Sequence, residues 1–145
     1  SEWHYGACTG QPQFGRLIEE TVEFNDAVSA VVAWIDENGG WERNLLIVTT
    51  DHDNSMPMGP DAQQVAFEPV RNHGRGRMPG MSFRPTGNHS NGLVPLWAKG
   101  NGAELLGKRV RGIDQGYRQH VRLNDGSYID NTDVAAAIRE ALQRR

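Results

Sequence analysis

The chain has 145 residues, 37% hydrophobic and 8% aromatic. That is enough for one modest globular domain with one core, and it excludes a disordered composition. Fifteen basic residues against eighteen acidic ones leave a net charge of −3, which argues against a nucleic-acid binder. The longest apolar runs, such as Leu45-Leu46-Ile47-Val48, are far too short to span a bilayer. A single cysteine, Cys8, excludes an intrachain disulfide and reads as a small packing residue. The opening SEWHYGACTG has neither the basic start nor the apolar core of a signal peptide, and no Met begins it. We therefore expect the chain to start inside a longer protein.

Residues 16–37 carry Leu17, Ile18, Val22, Phe24, Val28, Val31, Val32 and Ile35, mostly at steps of three or four. That spacing predicts one apolar stripe on a helix. Glu19, Glu20, Glu23 and Asp26 gather toward its positive end. Asn38-Gly39-Gly40 should end it, since glycine accepts the left-handed conformation of a C-terminal cap.

The run Asn44–Thr50 is apolar and β-branched without alternation, which predicts a strand covered on both faces. A helix, a short loop and a buried strand make half of a βαβ unit. The expected fold is therefore α/β, part of a mostly parallel sheet flanked by helices, within a single partial domain spanning 1–145. Gly92–Ala98 reads as a second strand of the same sheet, with Pro95 marking an edge or a bulge.

Between the strands, residues 53–91 form a long loop insertion rich in Gly and Pro, with all four methionines and five of the seven prolines in or near it. Loops of this length are usually functional or disordered. The aromatic and Met anchors Phe67, Met81 and Phe83 favour an irregular, pinned, functional loop. Beyond Trp97 come a short helix near Ala103–Leu106 and a final helix. Asn131 or Thr132 should cap that helix, Asp133 sits in its first turn, and Arg139, Arg144 and Arg145 favour its last. Its stripe is Val134, Ala135, Ile138, Ala141 and Leu142.

The chemistry-bearing residues follow the first strand as Thr49-Thr50-Asp51-His52-Asp53-Asn54. Sites in open α/β sheets form just beyond strand carboxyl ends. Asp offers a hard charged oxygen and neutral His a nitrogen, a pair suited to zinc. Against that stands a plain solvated strand end. His89 lies in the turn-rich Thr86-Gly87-Asn88-His89-Ser90-Asn91-Gly92 and would approach Asp51 and His52 if the two strands are neighbours. The competing role is a turn histidine bonded to its own loop. His4, His73 and His120 read as surface residues. Arg71-Asn-His-Gly-Arg-Gly-Arg77 raises an RNA-binding surface, but such a run is more simply a solvated turn.

Five blocks in order carry a resemblance: GRLIEETVEFNDAV, LLIVTTDHDN, RNHGRGRMPGMSF, TGNHSNGLVPLWAKG and YIDNTDVAAAIREAL. Over residues 14–145 the chain resembles the C-terminal part of bacterial alkaline phosphatases. The resemblance implies a phosphomonoesterase parent with two zinc ions and one magnesium, acting on phosphate monoesters in the periplasm or outside the cell. It assigns Asp51 and His52 to one zinc and His89 to the other. The family's Ser nucleophile, its phosphate-binding Arg and its magnesium ligands lie upstream of the matching part, so no catalytic residue is assigned here. Residues 1–13 depart from the family: where it has an Asp and a His four apart, this chain has Gly6 and Gly10.

The expected function is thus the metal-binding fragment of such a hydrolase. The alternative is a non-catalytic or partner-dependent half-domain. Either a homo-oligomer or a missing N-terminal half is the expected partner, and neither nucleic acid nor a membrane is.

Overall fold

The computed structural model describes residues 13–53, 57–77, 79–82, 89, 91–121 and 123–144. Gly6, Gly10, Cys8, His4 and Phe83, all singled out in the sequence, lie outside them. The chain divides into two compact units, Ser1–Glu23 with Asp51–Leu93, and Phe24–Thr50 with Val94–Arg145. No helix among the described residues is long and apolar enough to cross a membrane.

Helix α1 covers Phe14–Glu37, as its periodicity predicts. Only part of the expected stripe turns inward. Leu17, Val28 and Val32 are half-buried and Ile35 is 3% exposed, while Ile18, Val22, Phe24 and Val31 stay in solvent. At 100° per residue, Ile18 and Val22 fall well away from the line through Leu17, Val28 and Ile35, which accounts for their exposure, whereas Phe24 and Val31 lie within about 40° of it and are exposed all the same. Gly39, at φ 95°, turns the chain out of α1 and into the single turn α2, Gly40–Arg43.

In the second unit, β1 (Leu45–Val48) pairs with β2 (Trp97–Gly100). The pairing is antiparallel, with Leu45 opposite Gly100 and Val48 opposite Trp97. This corrects the expected parallel sheet: the described residues hold helices and two small antiparallel pairs. A parallel return needs a crossover, usually helical. Among the described residues between β1 and β2 there is no helix, and the chain comes back running the other way. The run Leu45–Val48 is only half-buried throughout, so it is not covered on both faces as its composition suggested.

The second strand also starts later than expected, at Trp97, which leaves Pro95 outside the ladder where its missing N–H costs nothing. It closes on Gly100 at φ 105°, where a Cβ would lie 2.1 Å from the Asn44 carbonyl oxygen. Only glycine fits there.

The core of this unit is small. Leu105 and Leu106, on α3 (Glu104–Gly107), meet Ala137 of α4 (Asn131–Gln143), with Ile47, Ala98 and Val134 packed around them. A second antiparallel pair joins β3 (Gly112–Ile113) to β4 (Ser127–Tyr128), enclosing a π-helical turn at Tyr117–Val121. The cap of α4 is Asp130, not Asn131 or Thr132. Its carboxylate accepts from the Thr132 N–H, and Asp133 reaches back to the Asp130 N–H at 2.9 Å, a reciprocal capping box. At the far end Arg144 spans Glu104 and Glu140 at 2.7 and 2.6 Å, and Arg109 holds Glu140 at 2.7 Å.

In the first unit, the long loop is ordered by backbone bridges, Met58 with Ser82 and Arg71 with Gly80. The aromatic anchor expected at Phe67 is 38% exposed. Glu68 does that work instead. Its side chain is 10% exposed and accepts from the Asp61 N–H at 2.6 Å and from Arg71 Nε at 3.1 Å. Its backbone carbonyl takes the Gly59 N–H at 2.8 Å. A Cβ on Gly59 would sit 2.5 Å from the Glu68 carboxyl carbon, so the clasp closes only over glycine.

Candidate metal centre

Asp51, His52 and His89 all fall in the first unit. The chain leaves β1 at Val48 and bends at Asp51. Such a bend turns adjacent side chains to one side, which an extended strand cannot do. The Asp51 carboxylate uses both oxygens on the next residue. Oδ1 accepts the His52 backbone N–H at 3.1 Å and Oδ2 lies 3.3 Å from His52 Nε2. His52 is 19% exposed at its side chain, whereas that of Asp51 is 83% exposed.

The other ring nitrogen of His52, Nδ1, faces the Asp53 carbonyl oxygen at 3.3 Å. Both neighbours of the ring are therefore oxygen acceptors. A neutral imidazole has one N–H and can satisfy only one of them. When Nδ1–H donates to Asp53, the lone pair is left on Nε2, beside the Asp51 carboxylate. A backbone carbonyl on the distal nitrogen is the usual way a zinc-binding histidine is oriented.

The spacing fits such an ion. Ligand atoms about 2.0–2.1 Å from a tetrahedral zinc are about 3.3 Å apart, and Asp51 Oδ2 and His52 Nε2 are 3.3 Å apart.

His89 does not join that pair on one point. Its ring stacks on His52 with centroids 3.4 Å apart and 13° between planes. Imidazole nitrogens bind metals in the ring plane, so stacked rings address two parallel planes and not one ion. Among the described residues no three His, Cys, Asp or Glu side chains converge as a common ligand set. The three sequence-derived candidates are thus brought together as a pair plus a stacked neighbour.

The basic loop holds little free charge at its first arginine. Arg71 is engaged by Glu68 and Asp61, and the Glu68 hydrogen bond, ahead of Asp61, keeps its guanidinium above the ordinary arginine value. A nucleic-acid surface loses that cation. Sequence reasoning missed the Glu68 clasp and the Asp53 carbonyl. Glu68 sits three residues before Arg71, a spacing that signals pairing in a helix but not in a loop. Backbone groups leave no trace in residue identity at all. Comparison of the chain with family models, curated proteins and solved structures finds no match.

Proposed function

We propose that this chain is the metal-binding C-terminal part of a phosphomonoesterase of the alkaline-phosphatase kind. In this reading Asp51 and His52 hold one zinc and His89 contributes to a second. The observation that carries the reading is His52 Nε2 at 3.3 Å from Asp51 Oδ2, with Nδ1 turned to the Asp53 carbonyl. The stack adds support. Two stacked rings present separate in-plane directions, as ligands divided between two neighbouring ions would.

Zinc, when bound, supplies Lewis acidity toward phosphoryl oxygens. The chain's own residues prepare for it. Asp51 brings the charged oxygen, the Asp53 carbonyl fixes the His52 ring, and His89 fills the second plane. Magnesium, the nucleophile and the remaining ligands are assigned to an N-terminal half, and phosphate monoesters and a periplasmic or secreted setting belong to the whole parent. The isolated chain should hydrolyse no aryl phosphate.

The competing reading, a non-catalytic half-domain, draws on the absence of a three-residue ligand set among the described residues. Calorimetric zinc titration separates the two. The proposal expects at most one zinc per chain, with affinity falling about 10-fold or more in Asp51→Ala and His52→Ala and less in His89→Ala. Zinc binding indifferent to Asp51 and His52, or none at all, favours the half-domain.

A further inference from the structure

The long loop of the first unit carries a hairpin with a basic tip. Arg71 and Gly80 close it with two backbone bonds, Arg71 N–H to the Gly80 carbonyl at 2.8 Å and Gly80 N–H to the Arg71 carbonyl at 2.9 Å. The described residues between them, 72–77 and 79, are exposed and lie in no helix or strand. Within the tip, Gly74 N–H donates to Asn72 Oδ1 at 2.8 Å and Arg77 N–H to the Gly74 carbonyl at 3.3 Å, both of them local turn bonds. Gly74 and Gly76 sit at φ 92° and 72°, and glycine passes from there into extended backbone without a steric barrier. An exposed tip of this kind opens at the low end of the local stabilities in a fold.

Arg75 and Arg77 stand on that tip, and the other basic residues are held differently. Arg71, at the base, is tied to Glu68 and Asp61. Arg109, Arg111 and Arg144 are ion-paired with Glu140 or Asp133. Arg16 and Arg139 lie inside long helices and Lys99 inside β2. Arg43, Lys108 and Arg118 sit in or beside helical turns. Residues 1–15 contain no Lys or Arg, and Arg84 precedes Pro85, whose ring and missing N–H bar it from the position after a tryptic cut.

We propose that this tip is a site of limited proteolysis by trypsin-like serine proteases, cut after Arg75 and after Arg77. Such enzymes take an arginine side chain into a pocket with an acidic floor. Exposed loop tips with small residues are where folded chains are nicked. Glycines flank Arg75 on both sides, so the backbone around it can extend into a protease cleft. The cut consumes one water: the Arg75 carbonyl carbon gains a hydroxyl, its bond to the Gly76 nitrogen breaks, and that nitrogen leaves as an amine.

The nicked protein stays in one piece. In the first unit the bridges Met58–Ser82 and Arg71–Gly80 span the cut. In the second, the β1–β2 ladder joins one fragment to the other. Asp51 and His52 go with the first fragment and His89 with the second. Neither the cut nor the bridges depend on zinc.

The test is brief digestion of the native chain with trace trypsin, the first products being identified by intact mass. They should be 1–75 with 76–145, or 1–77 with 78–145, and each pair should co-elute on gel filtration and part only in urea. The double variant Arg75→Gln/Arg77→Gln should be cut about 10-fold more slowly or less, because cleavage then waits on the opening of a better-held segment. Circular dichroism checks that the variant is folded. A first cut after any other basic residue overturns the proposal, as does a native chain that resists trypsin or a folded variant cut as fast as the parent. Fragments that part without urea overturn the claim that the nicked protein stays whole.

Discussion

His52 and His89 lie face to face, with ring centroids 3.4 Å apart and 13° between their planes, although thirty-seven positions separate them in the chain. Each ring therefore keeps its own in-plane directions, and one of those of His52 is shared with Asp51. Replacing His89 should leave the Asp51–His52 pair intact, because those two are fixed by their own backbone and by the Asp53 carbonyl. His89→Ala should accordingly weaken zinc binding without abolishing it, and loss equal to that of His52→Ala would contradict the arrangement.

The Glu68 clasp makes a prediction about order in the long loop. Glu68→Gln removes the charge that holds Arg71 and leaves one acceptor oxygen to serve both Arg71 and the Asp61 N–H, which the carboxylate met with two. Amide hydrogen exchange at Gly59, Asp61 and Arg71 should quicken by about 10-fold, in the manner of a local opening. Exchange in α4 should stay as it was. Unchanged protection at Gly59 would mean that the bridges Met58–Ser82 and Arg71–Gly80 hold the loop unaided.

Leu105 is completely buried and carries much of a small core. Leu105→Ala should cost about 2–5 kcal/mol, the usual range for a buried leucine truncation. With so few buried neighbours, a loss of that size is a large share of the stability of a marginal domain. Urea unfolding reports it as a lower midpoint. A change within the noise would show that the core lies elsewhere.

Acid should act on α4 through its cap. Asp130 is held below the ordinary carboxylate value of 3.8, first by the Thr132 hydroxyl and then by the Thr132 N–H. The Arg111 guanidinium, at 2.7 Å, is the main cause of the same shift in Asp133. A carboxyl lower in the folded state than in the unfolded one stabilises the fold above the unfolded value. That contribution disappears as pH falls through the folded value. Helix signal at 222 nm should therefore hold from neutrality down to about pH 4 and decline below it. Asp133→Asn should start with less helix and show a shallower acid transition. An identical acid profile in that variant would remove the cap from the account.

Local signals were the legible ones. The periodicity through Leu17, Val28 and Ile35 gave α1, Gly39 gave its end, and the apolar run gave β1, because each depends on a few neighbouring residues. Strand direction did not follow. Leu45–Val48 has the same composition whether its partner runs parallel or antiparallel, and only the path from Val48 to Trp97 decides. Asp130 lost to Asn131 and Thr132 as the expected cap because all three side chains can accept an amide hydrogen bond. The choice rests on Asp133 reaching back to the Asp130 N–H. Asp51 and His52 could be picked out by type and adjacency. The stacking of His89 could not, since a ring's orientation depends on loop geometry that residue types do not encode.

On the proposed function, His52 offers Nε2, beside Asp51, to a metal while Nδ1–H stays on the Asp53 carbonyl. Imidazole ¹⁵N correlation spectra of the chain, recorded as zinc is added, read both nitrogens of that ring directly. Zinc is expected to move the His52 Nε2 resonance to a metal-bound position with Nδ1 still protonated, and Asp51→Ala to suppress the change. Zinc arriving at Nδ1, or leaving the His52 ring untouched at millimolar concentration, would contradict the proposed function.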